Sequence, residues 1–228
     1  MIFNILNWIA RQAGYAVCHQ IPERSLVIGG RALPVCARCT GIFLGFTITF
    51  LALAISFGGG GARRLSRMAM VVVGALTLPL LIDAITSYAG IRETTNWVRL
   101  ATGGLAGAAV AALVFPLAAG QLAKVTAARQ EPARPAFAPT LFLVPVSLTL
   151  VASAGWGGAY GVWAATVVGA VVFTLVVLNL TLTTLVLERV RAMVASPPAS
   201  VLVAVSMVAV LTELVVFNRL HWLVDRLL

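Results

Sequence analysis

Charged residues are scarce in this sequence. Asp, Glu, Lys and Arg make up only 10% of its 228 residues, against roughly 25% in soluble domains. Hydrophobic residues account for 61%. A soluble fold needs a polar shell around its core, which this composition cannot supply. The shortage of charge therefore excludes an ordinary soluble domain and indicates a surface that faces lipid.

Acidic residues and lysine are scarcer still. The chain has 7 acidic and 16 basic residues, giving a net charge of +9, and Lys124 is the single lysine. The arginines are scattered over short hydrophilic segments, without a basic stripe interleaved with aromatic residues, so we do not expect a nucleic-acid partner. Arginines at membrane boundaries contact lipid headgroups, which makes membrane lipids the expected partners. The sequence gives no indication of the oligomeric state.

Familiar catalytic motifs are also absent from the sequence. It contains no phosphate-binding loop, dinucleotide fingerprint, H-E-x-x-H or G-x-S-x-G pattern. No reaction class is specified, and whether the protein is an enzyme stays open.

Long hydrophobic runs, in contrast, are abundant and continuous. Strands of a membrane barrel would alternate over roughly ten residues, whereas continuous runs of about 20 residues predict transmembrane helices. The predicted fold class is therefore an all-α, polytopic helical bundle of about six spans, preceded by an interfacial helix. The predicted spans are 39–57, 69–90, 99–120, 138–156, 160–186 and 199–218.

These spans predict four regions. Residues 1–38 comprise an amphipathic interfacial helix over 2–17 and a Cys/His loop, in which 22–35 are expected to be a polar loop. Residues 39–120 form a three-span core, 121–137 a hydrophilic loop, and 138–228 three further spans. Gly41 and Gly45 in the first span, like Gly103 and Gly107 in the third, have the spacing of close helix–helix packing.

The distribution of basic residues bears on membrane orientation, because Lys and Arg prefer the cytoplasmic side. With six spans, the N-terminal region and the loop after the second span share one face. Basic residues are equally numerous on both faces. When the arginines that lie in candidate motifs are not counted, more basic residues remain on the opposite face. This distribution favours an extracytoplasmic N-terminus.

A cluster of thiols provides the strongest chemical signal. The candidate metal ligands are Cys18, His19, Cys36 and Cys39, which include every cysteine in the chain. Cys36 and Cys39 form a C-x-x-C pair, whose sulfurs can reach one ion or each other. Adjacent residues on a helix point about 100° apart, so only one of Cys18 and His19 is expected to join them. Three ligands with an open position are typical of catalytic zinc sites.

Two other interpretations of the cysteines remain open. The pair could carry out thiol redox chemistry, because Arg38 between the two thiols would favour a thiolate. Alternatively, a disulfide could tie the N-terminal loop to the bundle if that face is oxidising.

Polar residues near the thiols suggest a pocket for an anion. Guanidinium groups bind phosphate and carboxylate through paired hydrogen bonds. The candidate anion-binding residues are Arg24, Ser25, Arg38, Arg92, Asn96 and Arg99, and the alternative for any single arginine is lipid anchoring.

Asp83 lies inside the second predicted span, where an acid is costly and is a functional candidate. It could pair with Arg38 or Arg99, take up a proton or complete a metal shell. With Arg38, Arg92 and Arg99 it forms the set of candidate catalytic residues. The polar face above Asp83 predicts water access, so we expect Asp83→Asn to preserve folding while abolishing function.

Two blocks of this sequence carry most of its distinctive residues. The first block is Cys18-His19-Gln20, Pro22, Arg24-Ser25 and Leu33-Pro34-Val35-Cys36-Ala37-Arg38-Cys39-Thr40-Gly41. The second is Asp83, Gly90, Arg92, Glu93, Asn96, Arg99, Thr102 and Gly103. These blocks resemble the signature of a family of small prokaryotic membrane proteins classed as a domain of unknown function. The chain departs from the family pattern at Ala84, where glycine is expected, and at Thr94, where serine is usual.

The resemblance covers about residues 14–115 and leaves the last three predicted spans outside. It implies a prokaryotic plasma-membrane protein in which both blocks belong to one site, but it implies no activity. The leading hypothesis is a zinc site beside an arginine-rich anion pocket, hydrolytic toward a lipid-linked or phosphorylated substrate. The alternatives are a transporter of a metal or small anion with Asp83 coupling protons, and a quinone-linked thiol oxidoreductase.

Overall fold

The computed structural model describes residues 2–57, 67–126, 160–190 and 198–227, which are helical apart from short loops and one β-hairpin. The elements are α1 (Ile2–Val17), a 3-10 turn (Pro22–Arg24), β1 (Ser25–Ile28), β2 (Arg31–Cys36), α2 (Ala37–Phe57), α3 (Arg67–Tyr88), α4 (Asn96–Thr126), α5 (Tyr160–Val190) and α6 (Ala199–Leu227). Helices α2 to α6 are long and apolar enough to cross a membrane. The predicted all-α membrane bundle is confirmed.

Two helices extend beyond the spans predicted from hydrophobicity. Helix α4 continues to Thr126, into the segment predicted as a hydrophilic loop, and α6 continues to Leu227 instead of ending at 218. The extension of α6 contacts α1, where the Tyr15 hydroxyl donates a hydrogen bond to Asp225. The predicted span 138–156 lies outside the described residues.

The segment predicted as a polar loop contains a β-hairpin, so that prediction was wrong for most of its length. Strands β1 and β2 are antiparallel, with Ser25 opposite Cys36 and Ile28 opposite Arg31. Gly29 and Gly30 form the two-residue turn with φ of 56° and 74°. Glycine adopts these left-handed angles without a steric penalty, and the turn twists in the same sense as the strands.

Helices α2 and α4 run parallel and touch along their backbones. A Cβ atom on Gly107 would overlap the backbone of Ile42, and one on Gly41 would overlap that of Leu100. Glycine at these positions lets the two helix axes approach closely, which confirms the packing predicted from the glycine spacing.

Helix α5 covers the paired α2 and α4. Buried alanines and valines of α5 pack against alanines of α4, and Phe50 makes edge-to-face contacts with Phe115 and Phe173 at centroid distances of 5.4 and 5.8 Å. Helix α3 packs mainly against α4, and α6 packs against α5 and α1. The bundle is therefore centred on α2, α4 and α5.

The cysteine segment and the loop before α4 lie at the same end of the bundle. The Asn96 side chain donates hydrogen bonds to the carbonyl oxygens of Glu23 and Ser25, at 3.2 and 3.1 Å. Because α2 and α4 start at this end and α3 finishes there, both sequence blocks meet at one end of the bundle.

Candidate metal and anion site

The three cysteine sulfurs converge at the end of the bundle where α2 begins. The Sγ atoms of Cys18, Cys36 and Cys39 all lie within 4.8 Å of one another, and all three cysteines are free thiols. Cys18 is buried and the other two are partly buried. The described residues contain no other group of three or more Cys, His, Asp or Glu side chains so placed.

Three elements, α1, β2 and α2, bring these thiols together. Cys18 follows the last residue of α1, Cys36 ends β2, and Cys39 lies in the first turn of α2. The side chain of Gln20, whose φ is 52°, donates hydrogen bonds of 2.7 Å to the carbonyl oxygens of Arg11 and Pro34. Gln20 thus fixes the turn after α1 against β2, so that Cys36 returns beside Cys18.

Hydrogen bonding within the cluster makes the thiols unequal. The backbone N–H of Cys36 donates to the Cys18 sulfur at 3.2 Å. Hydrogen bonds from the Cys18 and Cys39 thiols hold the pKa of Cys36 well below its usual value. The pKa of Cys18 is raised, mainly by its hydrogen bond with Cys36. Cys36 is therefore the thiol of this pair that more readily becomes a thiolate, the form that binds metal.

The structure brings Cys18, rather than His19, to the C-x-x-C pair. The exposed ring of His19 packs edge-on against His221 of α6, with centroids 4.6 Å apart. His221 in turn contacts the backbone carbonyl of Tyr15 through Nδ1 at 2.7 Å. His19 thus lies at the junction of α1 and α6, outside the group of three sulfurs.

Asp83 forms a buried ion pair with two arginines. Its side chain is 1% exposed, and its two carboxylate oxygens accept hydrogen bonds from Arg38 and, at 3.1 Å, from Arg92. Of the two pairings expected, that with Arg38 occurs, whereas no salt bridge joins Asp83 to Arg99 within the described chain. Instead of facing a wet cavity, Asp83 balances buried positive charge, which favours a structural role.

Arg99 occupies a different environment from Arg38 and Arg92. Its residue exposure is only 8%, and its guanidinium donates to Asn96 Oδ1 at 3.3 Å and Ser87 Oγ at 3.4 Å. Its Nε, like that of Arg38, is buried without a hydrogen-bond partner among the described residues. Arg99 is thus a buried cation held by two neutral oxygens.

Arg24 approaches this region from the 3-10 turn. Its guanidinium carbon lies 5.2 Å from the centroid of the Tyr88 ring, and that of Arg38 lies 5.8 Å from the same ring. Tyr88 therefore supports a group of cations that meet at the end of α3.

The two neutral candidates for anion binding already make hydrogen bonds within the protein. Both bonds donated by Asn96 go to the backbone carbonyls on either side of Arg24. The hydroxyl of Ser25 donates to the Ile21 carbonyl at 2.9 Å. These two side chains hold Arg24 and the hairpin against the start of α4.

Sequence reasoning overlooked Ser87 and Tyr88. They lie four and five residues after Asp83 on α3, and residues four apart on a helix share a face. The buried acid at 83 was the signal that could have identified Ser87. Gln20, which was noted only as part of a motif, proves to hold the cysteine turn.

The comparisons with known proteins agree with the position of this site. Residues 18–113 match the model of a family described as predicted membrane protein, DUF2085. The match begins at the first thiol and ends in α4, so it contains all three cysteines and the four arginines. No solved structure matches the chain.

Two archaeal relatives cover the same region. An uncharacterised protein of Methanothermobacter thermautotrophicus is 39% identical over 98 residues, which are 42% of this chain and 83% of the relative. One of Methanocaldococcus jannaschii is 30% identical over 101 residues, 44% of this chain and 63% of the relative. This protein therefore belongs to the DUF2085 family of predicted membrane proteins.

Proposed function

We propose that this protein is a membrane metalloprotein in which Cys18, Cys36 and Cys39 bind one divalent ion, zinc. The observation that carries the proposal is the convergence of three thiols from three separate elements within 4.8 Å. Thiolates are soft ligands that favour zinc among the common divalent ions.

The dimensions of the cluster suit zinc. Tetrahedral ligands at a Zn–S distance of about 2.3 Å lie about 3.8 Å from one another. The present separations, none above 4.8 Å, need only small rotations of the side chains to reach this value. Three protein ligands leave a fourth position, which a water molecule or a substrate can occupy.

The arginines beside the thiols form the second part of the proposal. Arg38 belongs both to the C-x-x-C segment and to the cationic group around Tyr88, so an anion there lies close to the metal. Such an arrangement suits hydrolysis of a lipid-linked or phosphorylated substrate, since a metal-bound water is a nucleophile at neutral pH.

The alternatives receive less support from the geometry. A transporter that uses Asp83 to couple protons needs a carboxylate free to titrate, whereas two arginines hold Asp83. A quinone-linked thiol oxidoreductase would use the same cysteines, so metal content decides between it and the metalloprotein.

Metal analysis of the purified full-length protein tests the proposal. We expect about one zinc per chain, lost in Cys18→Ser, Cys36→Ser and Cys39→Ser but retained in His19→Gln. Metal-free protein with a Cys36–Cys39 disulfide would overturn the proposal in favour of redox chemistry. Retention of zinc in Cys18→Ser together with its loss in His19→Gln would overturn the ligand assignment.

We also propose that the cysteine end of the bundle faces the outside of a prokaryotic plasma membrane. When the arginines in candidate motifs are set aside, basic residues are more numerous on the other predicted face, which supports this orientation by the positive-inside rule. An impermeant thiol reagent applied to whole cells should label a cysteine introduced at exposed Glu93 in a variant lacking the native thiols. Labelling only after cell lysis would reverse the orientation.

A further inference from the structure

Four arginines of the candidate site, Arg24, Arg38, Arg92 and Arg99, differ in how their charge is balanced. Arg38 and Arg92 share the buried carboxylate of Asp83. Arg24 and Arg99 form no salt bridge with a carboxylate of the described residues. Within the part of the chain that the structure describes, Asp83 is the only carboxylate that forms a salt bridge with any of these four arginines, so the charges of Arg24 and Arg99 are not paired there.

Arg99 has unused capacity to bind a ligand. A guanidinium carries five N–H donors in a plane, whereas Arg99 makes two hydrogen bonds, both to neutral oxygens at 3.3 and 3.4 Å. Its buried Nε has no hydrogen-bond partner among the residues that the structure describes. A buried donor without an acceptor costs about 1–3 kcal/mol, and more when the group is charged, so this position favours a ligand that accepts hydrogen bonds.

Asn96 positions Arg24 and Arg99 relative to each other. Its amide nitrogen bonds the carbonyls of the residues flanking Arg24, while its amide oxygen accepts from Arg99. A single side chain thus links the backbone on either side of Arg24 to the guanidinium of Arg99. An anion bound between the two arginines would offset the buried charge of Arg99.

We infer that Arg24 and Arg99 form the binding site for a phosphate-type oxyanion, while Arg38 and Arg92 serve as its scaffold through Asp83. The planar guanidinium groups match the geometry of phosphate oxygens. Arg24 is half-buried at the end of the bundle and Arg99 lies behind it, so the phosphate enters from the membrane surface. The inference rests on the anion pocket proposed above, and it requires no metal ligand.

Two sources can supply this phosphate group: a free phosphorylated molecule or the headgroup of a lipid. The first is tested in phosphate-free detergent by measuring thermal unfolding with inorganic phosphate against chloride of equal ionic strength. The second is tested in nanodiscs of phosphatidylcholine with and without phosphatidylglycerol. A ligand that binds only folded protein raises its melting temperature.

We expect at least one of these additions to stabilise the wild-type protein. Stabilisation by inorganic phosphate identifies a site for free phosphate, and stabilisation by phosphatidylglycerol alone identifies a headgroup site. In Arg24→Gln and Arg99→Gln, we expect half-maximal stabilisation to require about tenfold to hundredfold more ligand, because each variant loses charged hydrogen bonds. The control Arg11→Gln removes an exposed arginine of α1 and should respond as wild type.

Arg99→Lys separates binding from folding. Lysine keeps the charge but loses the planar fork, so we expect normal yield with weakened phosphate binding. A wild-type response in both glutamine variants would overturn the assignment of Arg24 and Arg99, and an unresponsive wild type would overturn the pocket itself. Zinc content, measured on the same samples, reports on the metal site independently of phosphate binding. Failure of the anion site can therefore be distinguished from failure of the metal site.

Discussion

Helix α4 makes two contacts of opposite chemical character. Toward α2 it presents glycines, at which the two backbones touch. Toward α3 it presents Arg99, which donates a hydrogen bond to Ser87 of α3. At the same end, Asp83 of α3 pairs with Arg38 of α2 and with Arg92 of the loop before α4. Only 11% of the apolar stretch of α3 is buried in the protein, against 61% for α4.

The difference between these two contacts follows from the lipid that surrounds a membrane protein. Lipid tails are as apolar as leucine, so helices associate through close packing and polar bonds rather than through hydrophobic burial. The α2–α4 contact depends on shape at many positions. The attachment of α3 depends instead on a few charged residues at one end of the helix. The candidate site lies at the same end.

The largest expected effect is at the glycine contact. In Gly107→Val, the new side chain would occupy the position of the Ile42 backbone, so α2 and α4 could no longer approach. We expect loss of folded protein, measured as the monodisperse fraction in size-exclusion chromatography. Gly169→Val on α5 is the control, because a Cβ there has nothing within 4 Å. Equal losses in both variants would refute the role of the contact.

Removing the charge of Asp83 should have the next largest effect. Asp83→Asn leaves buried Arg38 without its carboxylate, and breaking such a pair costs about 3–5 kcal/mol. The structure therefore reverses the sequence-based expectation that this variant folds normally. A thermal melt in detergent, with zinc measured on the same sample, should show early unfolding but normal zinc before heating. Normal stability with lost zinc would place Asp83 in the metal site.

Arg92 should contribute less than Arg38 to the same ion pair. The Arg92 side chain is 51% exposed, against 12% for Arg38, and exposed salt bridges contribute about 0–1 kcal/mol. Arg92→Gln should thus lower stability slightly, and Arg38→Gln clearly more, in parallel melts. Equal losses would show that both arginines are needed to balance Asp83.

The smallest effect is expected on the open surface of α3. A Cβ on Gly74 has nothing within 4 Å, and alanine favours a helix by about 1 kcal/mol over glycine. Gly74→Ala should therefore leave stability unchanged or raise it slightly in the same melts. A marked loss would show that α3 packs against a partner, such as a second copy, at this position.

Hydrophobic composition was sufficient to predict the helices that the structure describes. Their start and end residues were less predictable, because α6 continues past residue 218 through a segment with charged residues that contacts α1. The hairpin had a local signal that the prediction neglected, since Gly29-Gly30 between short apolar segments is typical of a two-residue turn.

By itself, the sequence determined the membrane bundle, the glycine contact and the gathering of thiols and arginines into two blocks. Each of these features depends on composition or on the spacing of residues along one element, and both can be read from the sequence. Tertiary structure alone decided that Cys18 rather than His19 joins the pair, and that Asp83 takes Arg38 and Arg92 while Arg99 remains unmatched. These pairings depend on distances between elements that are far apart in the chain. The sequence alone does not distinguish one arginine from another as a partner for Asp83, because those distances are set by the fold.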